Sequence, residues 1–415
     1  MLQTTPPVAV IGAGIVGVCC AAHLVMRGIP VILLDRRGPG EMTSYGNAGG
    51  IQNLATTPIG MPGMLRQVPS WLADPLGPLH IRPSYLPRAL PWLLRFARET
   101  TERRARHNAK ALNELNRRCI DATMSLARWA GVENLIQLSG QLYLFRSRKA
   151  YLEDRLGQEL RAATGQPFTV LDQDAIREFE PHLAPKFEVG LHVPGDGFCR
   201  DPYRFVTELA GAAMRNGATF LHAEATGFDW QGSEIAAIKT DRGKIDVGAV
   251  VIAAGAWSMP LVQLLGHRVP LETQRGYHVT IRNPGPTTRH MCLILDRKLA
   301  ITPMEPGLRI AGTVEFAGLE ALPNYKRAGA LVRLGLETLP GLNIADVSEW
   351  MGHRPSLPDS LPVIGRSPKV PNAFFAFGHG FFGLIGAAPT GELIGELIAG
   401  EKPAIGLDPY RIDRF

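Results

Sequence analysis

Five cysteines in 415 residues, Cys19, Cys20, Cys119, Cys199 and Cys292, form no Cys-x-x-Cys pair and no even framework. No metal site and no disulfide scaffold is expected, and a reducing cytoplasm is the expected compartment. The chain has no basic run interleaved with aromatics, so nucleic acid is not an expected partner. Repeats and low-complexity segments are also missing. Charge is sparse, at 20% of residues, with 44 Lys and Arg against 38 Asp and Glu for a net +6. That small, dispersed excess favours anionic substrates or an anionic membrane surface only weakly. Residues 8–26 carry no charge beyond a titratable His23. No basic segment precedes them, and their spaced glycines and the strand after them argue against a signal peptide or a membrane span.

What is present points to a soluble enzyme. Apolar residues make up 45% of the chain, enough for a large core and two domains. The organising stretch is Val8-Ala-Val-Ile-Gly12-Ala-Gly14-Ile15-Val16-Gly17. It reads as a short strand, a glycine turn and a helix over 18–26, with a second strand over 29–34 ending at Asp35. Each glycine has a job: Gly12 makes the turn, Gly14 admits a pyrophosphate to the backbone, and Gly17 lets helix and strand meet. The helix N-terminus offers free N–H groups to phosphate, and Asp35 suits an adenosine ribose. Taken alone, the fingerprint fits NAD as well as FAD.

Further along, residues 43–50 (Thr43, Ser44, Asn47, Gly49 and Gly50 among them) read as a ligand-approaching loop or a plain surface loop. Residues 58–98 hold prolines at 58, 62, 69, 75, 78, 83, 87 and 91, a density that argues against long regular elements. A short helix over 86–98 would place Leu90, Leu93, Leu94 and Ala97 on one face. The segment reads as core packing or, with its tryptophans and arginines, as a membrane-interface contact. Helices are expected over 99–130, 149–164, 326–339 and 390–399. Another opens at Asp201 as N-cap with Pro202 at N1 and runs to 216–217. Strands are expected over 142–145, 191–193, 219–221 and 235–240, and antiparallel strands over 277–281, 293–295, 300–302 and 308–312. Residues 247–258 form a buried strand ending at Gly255, either at a cofactor or with no ligand.

Several pieces together resemble the FAD-dependent glycine/D-amino acid oxidase superfamily, and within it the bacterial D-amino acid dehydrogenases of small-subunit type. They are residues 10–17, Thr43-Ser-x-x-Asn47-Ala-Gly, a helix over 108–121, Arg275-Gly-Tyr277, Ala311-Gly-Thr-Val-Glu315, Gly352-His-Arg354-Pro through Gly365, Gly378-His379-Gly380 and the ending 408–415. They stand in family order across nearly the whole chain. One departure is Phe381-Phe382 after His-Gly, which makes the pocket more apolar there.

The resemblance implies a mixed α/β (α+β) architecture: a Rossmann-like FAD-binding domain plus a substrate domain with a mostly antiparallel sheet. The FAD-binding domain would comprise residues 1–57, 193–265 and 346–415, and the substrate domain 58–192 and 266–345. Gly12, Gly14, Ile15, Val16, Gly17, Asp35 and Arg36 would hold the AMP half of a non-covalent FAD. Thr43, Ser44, Asn47, Gly49, Gly50, Gly255, Trp257, Gly378, Gly380 and Gly383 would lie along its flavin half. Arg354 would clamp a substrate carboxylate, although the residues alone leave open an ion pair with Asp359 or Glu349. Tyr277 would assist the clamp and His278 would line the pocket; strand alternation lets at most one of the two face the flavin, and Tyr277 is preferred. His379 would orient the ring or act as a base. The implied reaction is oxidation of a D-amino acid to a 2-oxo acid and ammonia by hydride transfer from Cα to the flavin, with quinone or oxygen as electron acceptor. A cyclic imino acid such as hydroxy-D-proline, a sarcosine-type amine, and a flavoprotein subunit with an idle pocket are the alternatives. A membrane acceptor would bring peripheral contact with the cytoplasmic face of the inner membrane. No oligomeric state follows.

Overall fold

The structure, a computed structural model, describes residues 6–74 and 76–415. Residues 1–5 and Pro75 lie outside the described residues.

Two sheets organise the chain. The first runs in the order Thr219–His222, Val31–Asp35, Val8–Ile11, Ala249–Ile252, Ala373–Phe377, Val363–Arg366. All neighbours are parallel except the last pair. The central strands are continuous apolar runs because both faces are covered, one by helices and the other by the antiparallel strands Ala225–Gln231 and Glu234–Thr240 with the short helix Ser258–Leu264. On one side Ile15–Met26 packs against Gly383–Ala399, so closely that a Cβ on Gly391 would lie 2.6 Å from the Cys19 backbone. Cys19 and Cys20 are small packing residues here, and all five thiols are buried and free. Gly380–Ala399 is apolar and long enough to cross a membrane, but 67% of that window is buried against the core.

The second sheet follows the order Val347–Ser356, Glu272–Ile281, Gly307–Phe316, Leu299–Met304, Met291–Ile294, Gln141–Phe145, Val189–Val193, Thr169–Leu171, with Leu79–Ile81 beside Gly307–Phe316. It is antiparallel but for two pairs. Its back face carries Lys326–Thr338, whose Ala328 and Leu331 share a core with Val279 and Ile310. The front face looks toward the C-terminal ends of the first sheet. Sheet membership moves one expected boundary: Val347–Ser356, placed with the FAD-binding segment 346–415, pairs along its whole length with Glu272–Ile281.

The proline-rich segment needs correction. It forms two helices, Met64–Ala73 with Pro69 inside and Leu86–Glu99 with Pro91 inside. Each proline removes one backbone donor, yet packing carries the second helix. Its core face is not the expected leucine row. Ala89 and Trp92 are buried, while Leu90 and Leu94 are 47% and 57% exposed. The largest ring takes the core: Trp92 stacks on Phe96 at 5.2 Å and donates Nε1–H to the Ser356 carbonyl at 3.3 Å. The single helix expected over 99–130 is two, Glu102–Asn116 and Cys119–Ala130, and the one over 149–164 is Arg148–Glu153 and Arg155–Ala162. The last helix starts earlier than expected, at Gly383. The Asp201 cap is as expected, its carboxylate accepting from the Tyr203 and Arg204 N–H groups.

Candidate active site

Between the two sheets lies a cavity of about 1430 Å³. Its floor is the glycine turn. Gly12 has φ +113°, and a Cβ there would meet the Ala253 carbonyl oxygen at 2.4 Å. A Cβ on Gly17 would lie 1.8 Å from the Gly12 carbonyl oxygen. At Gly14 a Cβ would touch only Ser44 Oγ, at 3.4 Å. The protein alone does not require glycine at 14; a ligand lying against the backbone does. The Ile15 N–H donates to Ser44 Oγ at 2.9 Å, and Val16 lines the cavity above the helix N-terminus. Asp35 accepts from the Ala13 N–H at 2.7 Å and the Arg37 N–H at 2.9 Å. Burial raises its pKa and these donors oppose the shift. Arg36 lies over the Trp257 ring at 4.9 Å and pairs with Glu224 at 3.3 Å. Trp257 thus stands at the Asp35–Arg36 end, edge-on to His353 at 5.3 Å, while Gly255 beside it takes φ +54°.

The loop through residues 43–50 is pinned to the roof sheet. Thr43 Oγ1 donates to the His353 carbonyl at 2.8 Å, and Asn47 Oδ1 accepts from the Gly49 N–H at 2.8 Å. Gly49 turns at φ +85°, and Gly50 pairs with Phe198. Arg309 donates to the Tyr45 and Asn47 carbonyls at 3.1 and 2.8 Å. Burial brings its pKa down to about 10, so it stays a cation near neutrality. Sequence reasoning missed Arg309; the signal was a lone arginine inside the apolar strand 308–312.

Across the cavity, Gly378 and Gly380 take φ +86° and +53°. Gly380, Gly383, Leu384 and Ile385 line it at the N-terminal end of the last helix. The His379 ring is turned into the core, with Nε2 2.9 Å from Thr390 Oγ1, and burial pushes its pKa down to about 3. A buried neutral ring bonded there does not serve as a base for a substrate in the cavity.

Arg354 is a half-buried cation on the cavity wall. Its side chain crosses Gly276 so closely that a Cβ there would sit 2.1 Å from the guanidinium carbon. Nη1 donates to the Thr313 carbonyl at 3.0 Å, and the Phe381 ring lies 4.5 Å away. Burial lowers the pKa to about 10. Asp359 is paired with Arg414 at 2.8 Å, and Glu349 is exposed. Among the described residues no carboxylate stands within 4.0 Å of the guanidinium.

Tyr277 departs from expectation. It borders the cavity, but its hydroxyl donates to Glu315 Oε2 at 2.6 Å and accepts from the Asn324 N–H at 2.9 Å. The side chain packs in the core under Lys326–Thr338. Strand alternation turns His278, not Tyr277, to the side of Gly276. Even so, His278 stacks on Trp350 at 5.0 Å and donates Nδ1–H to the Gly46 carbonyl at 3.1 Å. Its pKa falls to about 3 through burial, with the Arg309 charge adding to the shift. It holds the loop rather than a ligand.

The glycine cradle, the helix N-terminus and Asp35 fit a dinucleotide, and the chain matches the FAD dependent oxidoreductase (DAO) family over residues 7–397. The chain belongs to that family. Its cofactor is FAD, and the glycine turn with Asp35 fits the adenosine diphosphate half. This FAD-dependent oxidoreductase is 42% identical over 98% of both chains to a D-amino-acid oxidase of Bradyrhizobium diazoefficiens. It is 32% identical to a D-amino acid dehydrogenase of Agrobacterium fabrum, over 98% of this chain and 99% of that one. Among solved structures, L-proline dehydrogenase from P. horikoshii superposes with a TM-score of 0.77 at 22% identity, covering 100% and 98% of the two chains. Glycine oxidase from Bacillus cereus gives 0.75 at 18% identity over 99% of each.

Proposed function

We propose that this oxidoreductase deaminates D-amino acids oxidatively to 2-oxo acids and ammonia. The observation that carries the reading is Arg354, a half-buried guanidinium on the cavity wall without a carboxylate within 4.0 Å among the described residues. A partly desolvated cation of that kind calls for an anion, and a guanidinium meets a carboxylate with two parallel hydrogen bonds. The relatives named as D-amino acid oxidase and dehydrogenase support the configuration at Cα. Bound FAD supplies the two-electron acceptor. The protein's share is to fix the carboxylate on Arg354, to hold the Cα–H at near-attack distance, and to keep water out with the apolar wall of Phe381, Trp92 and Leu79. His278 and His379 are both neutral and both engaged, so the substrate enters with its amine already deprotonated. An idle pocket would have no reason to keep an unpaired half-buried cation.

The test is a panel of D- and L-amino acids mixed anaerobically with the purified yellow protein. Bleaching of the flavin by D-amino acids alone is the expected result. Turnover in the presence of a dye against turnover in oxygen then assigns the electron acceptor. A flavin unchanged by every D-amino acid, or bleached equally by the L-series, defeats the reading.

We further propose that quinone is the acceptor and that the enzyme meets it at the inner membrane. Trp92, an expected membrane contact, is buried. The exposed apolar ridge is Leu86, Leu90 and Leu94, with exposed Arg88, Arg95 and Arg98 on the same helix; Leu65 and Leu72 are also exposed, on the helix Met64–Ala73. Leucines at i, i+4 and i+8 share a helix face, and arginines suit anionic headgroups. Changing Leu86, Leu90 and Leu94 together to serine should reduce binding to anionic vesicles by roughly tenfold or more in a sedimentation assay. Equal sedimentation of variant and wild type, or none of either, removes the membrane contact.

A further inference from the structure

The cavity does not stop at Arg354. It continues along the same face of the roof sheet to Tyr143, Phe145, Asp154, Arg161, Asp296 and Lys298. The register shows the continuity. His278 stands opposite Ala311, Ala311 opposite Ala300, Ala300 opposite Leu293, and Leu293 opposite Tyr143. Directly paired residues share a face, so one surface runs unbroken from the arginine clamp to this far arm.

Lys298 sits where the two parts meet. Leu299 is paired with Gly312, and a Cβ on Gly312 would lie 3.2 Å from the Lys298 carbonyl oxygen, so Lys298 adjoins the strand one residue before Thr313. Thr313 is the residue whose carbonyl holds Arg354. Arg354 and Lys298 therefore meet neighbouring residues of one strand, Thr313 and Gly312, and Arg354, Lys298 and Thr313 all line the cavity. Lys298 and Thr313 also share left-handed backbone, at φ +54° and +60°. For a β-branched threonine that conformation is strained, and such strain collects at functional sites.

The charges of the arm fall into pairs, with one left over. Asp154 is bonded to Arg161, Asp296 to Arg146 at 2.5 Å, and Glu153 to Lys149 at 3.9 Å. Lys298 has no carboxylate within 4.0 Å among the described residues. The surrounding protein lowers its pKa, and the more distant Asp154 and Asp296 do not reverse this. Lys298 nonetheless keeps accessible surface, and it borders the cavity.

We propose that Lys298 is the second anchor of the substrate site and that the substrate class is the D-amino acids with a carboxylate at the end of the side chain. The α-carboxylate lies on Arg354 and the distal carboxylate reaches across Thr313 to the Lys298 ammonium. This rests on the deaminase reading above, and it adds what the side chain must carry.

The test measures binding and turnover separately. The FAD-loaded enzyme is titrated with glutarate and with its mono-amide, which lacks only the second charge, by perturbation of the flavin absorbance. Glutarate should bind about tenfold tighter, the effect expected of one charge-assisted contact. Lys298→Met should bring the ratio close to one, and Lys298→Glu should invert it. The kcat/KM ratio of D-glutamate to D-glutamine should move in parallel. Because every readout is a ratio within one variant, a general loss of fold or flavin cancels. A wild-type ratio near one, or a ratio unchanged in Lys298→Met, overturns the proposal. If the binding ratios shift as expected while no D-amino acid is oxidised, the subsite stands and the deaminase reading falls.

Discussion

Arg354→Ala should lower kcat/KM for a D-amino acid by roughly 30- to 1,000-fold, the equivalent of about 2–4 kcal/mol. The reason is asymmetric. In the wild type, the guanidinium is partly desolvated before substrate arrives, held by the Thr313 carbonyl at 3.0 Å and the Phe381 face at 4.5 Å. Part of its hydration is already lost, so a carboxylate gains much of a charge-assisted pair. In the alanine variant the same carboxylate leaves water and meets nothing, which costs more than the bond itself. Most of the loss should appear in KM, with a smaller loss in kcat because an unanchored Cα–H wanders from its near-attack position. Arg354→Lys should fall between, keeping the charge but not the two-pronged geometry. Gly276→Ala supplies an independent check. Its methyl would lie 2.1 Å from the Arg354 guanidinium carbon and must push the clamp aside without touching its charge. Steady-state kinetics with a dye acceptor, normalised to flavin content, decides the matter. Kinetics of Arg354→Ala within twofold of wild type would remove the clamp from Arg354.

How much of this was legible in the chain depends on what each residue answers to. The glycine turn was readable because its three positions obey local steric rules: Gly12 needs φ +113°, and Gly17 needs room against Gly12. Asp201-Pro202 was readable for the same kind of reason, since a cap and a missing N–H are local facts. Tyr277 and His278 were not. Alternation said that only one could face the cavity, but the choice depends on the register with Val347–Ser356 and on the irregularity between Arg275 and Tyr277 opposite Gly307–Phe316. Those are partners 33 to 74 positions away, and nothing local specifies them. The roles of arginines are equally non-local. Arg275 is fully buried, donating to the Gly318, Ala321 and Leu322 carbonyls, so it serves the fold while Arg354 faces the cavity. In sequence the two look alike. On the helix Leu86–Glu99 the amphipathic pattern was legible, but whether the leucine row packed in the core or stood exposed was not. Which stripe faces the core was set by Phe316, a residue on a distant strand that receives Trp92 at 5.5 Å.

Gly17→Ala is expected to give a protein that folds less stably and is isolated largely without FAD. The added methyl would stand 1.8 Å from the Gly12 carbonyl oxygen, a backbone atom with no rotamer to escape into. Gly12 cannot retreat. Its N–H donates to the Leu34 carbonyl at 2.7 Å, and its own Cα hydrogen side is closed by the Ala253 carbonyl. Strands Val31–Asp35 and Ala249–Ile252 therefore hold the turn from both sides, and the helix Ile15–Met26 must move instead. Overpacking of this kind costs about 1–3 kcal/mol, which for a chain of this length is a drop of roughly 1–4 °C in Tm. The larger consequence is for the cofactor. A helix displaced outward carries Gly14 and the first-turn N–H groups with it, and their value to a pyrophosphate depends on close approach. Flavin absorbance per chain should fall by about tenfold or more in dilute, washed protein, the loss expected when well-aligned phosphate contacts are broken. Gly28→Ala separates this from simple backbone strain. Gly28 also has positive φ, +71°, but a Cβ there meets nothing within 4 Å. That variant should lose a comparable share of stability, about 1 kcal/mol, and keep its full complement of FAD. If Gly17→Ala also keeps its FAD, the helix N-terminus is not what holds the cofactor. If Gly28→Ala loses it, instability rather than the steric contact at Gly12 governs retention.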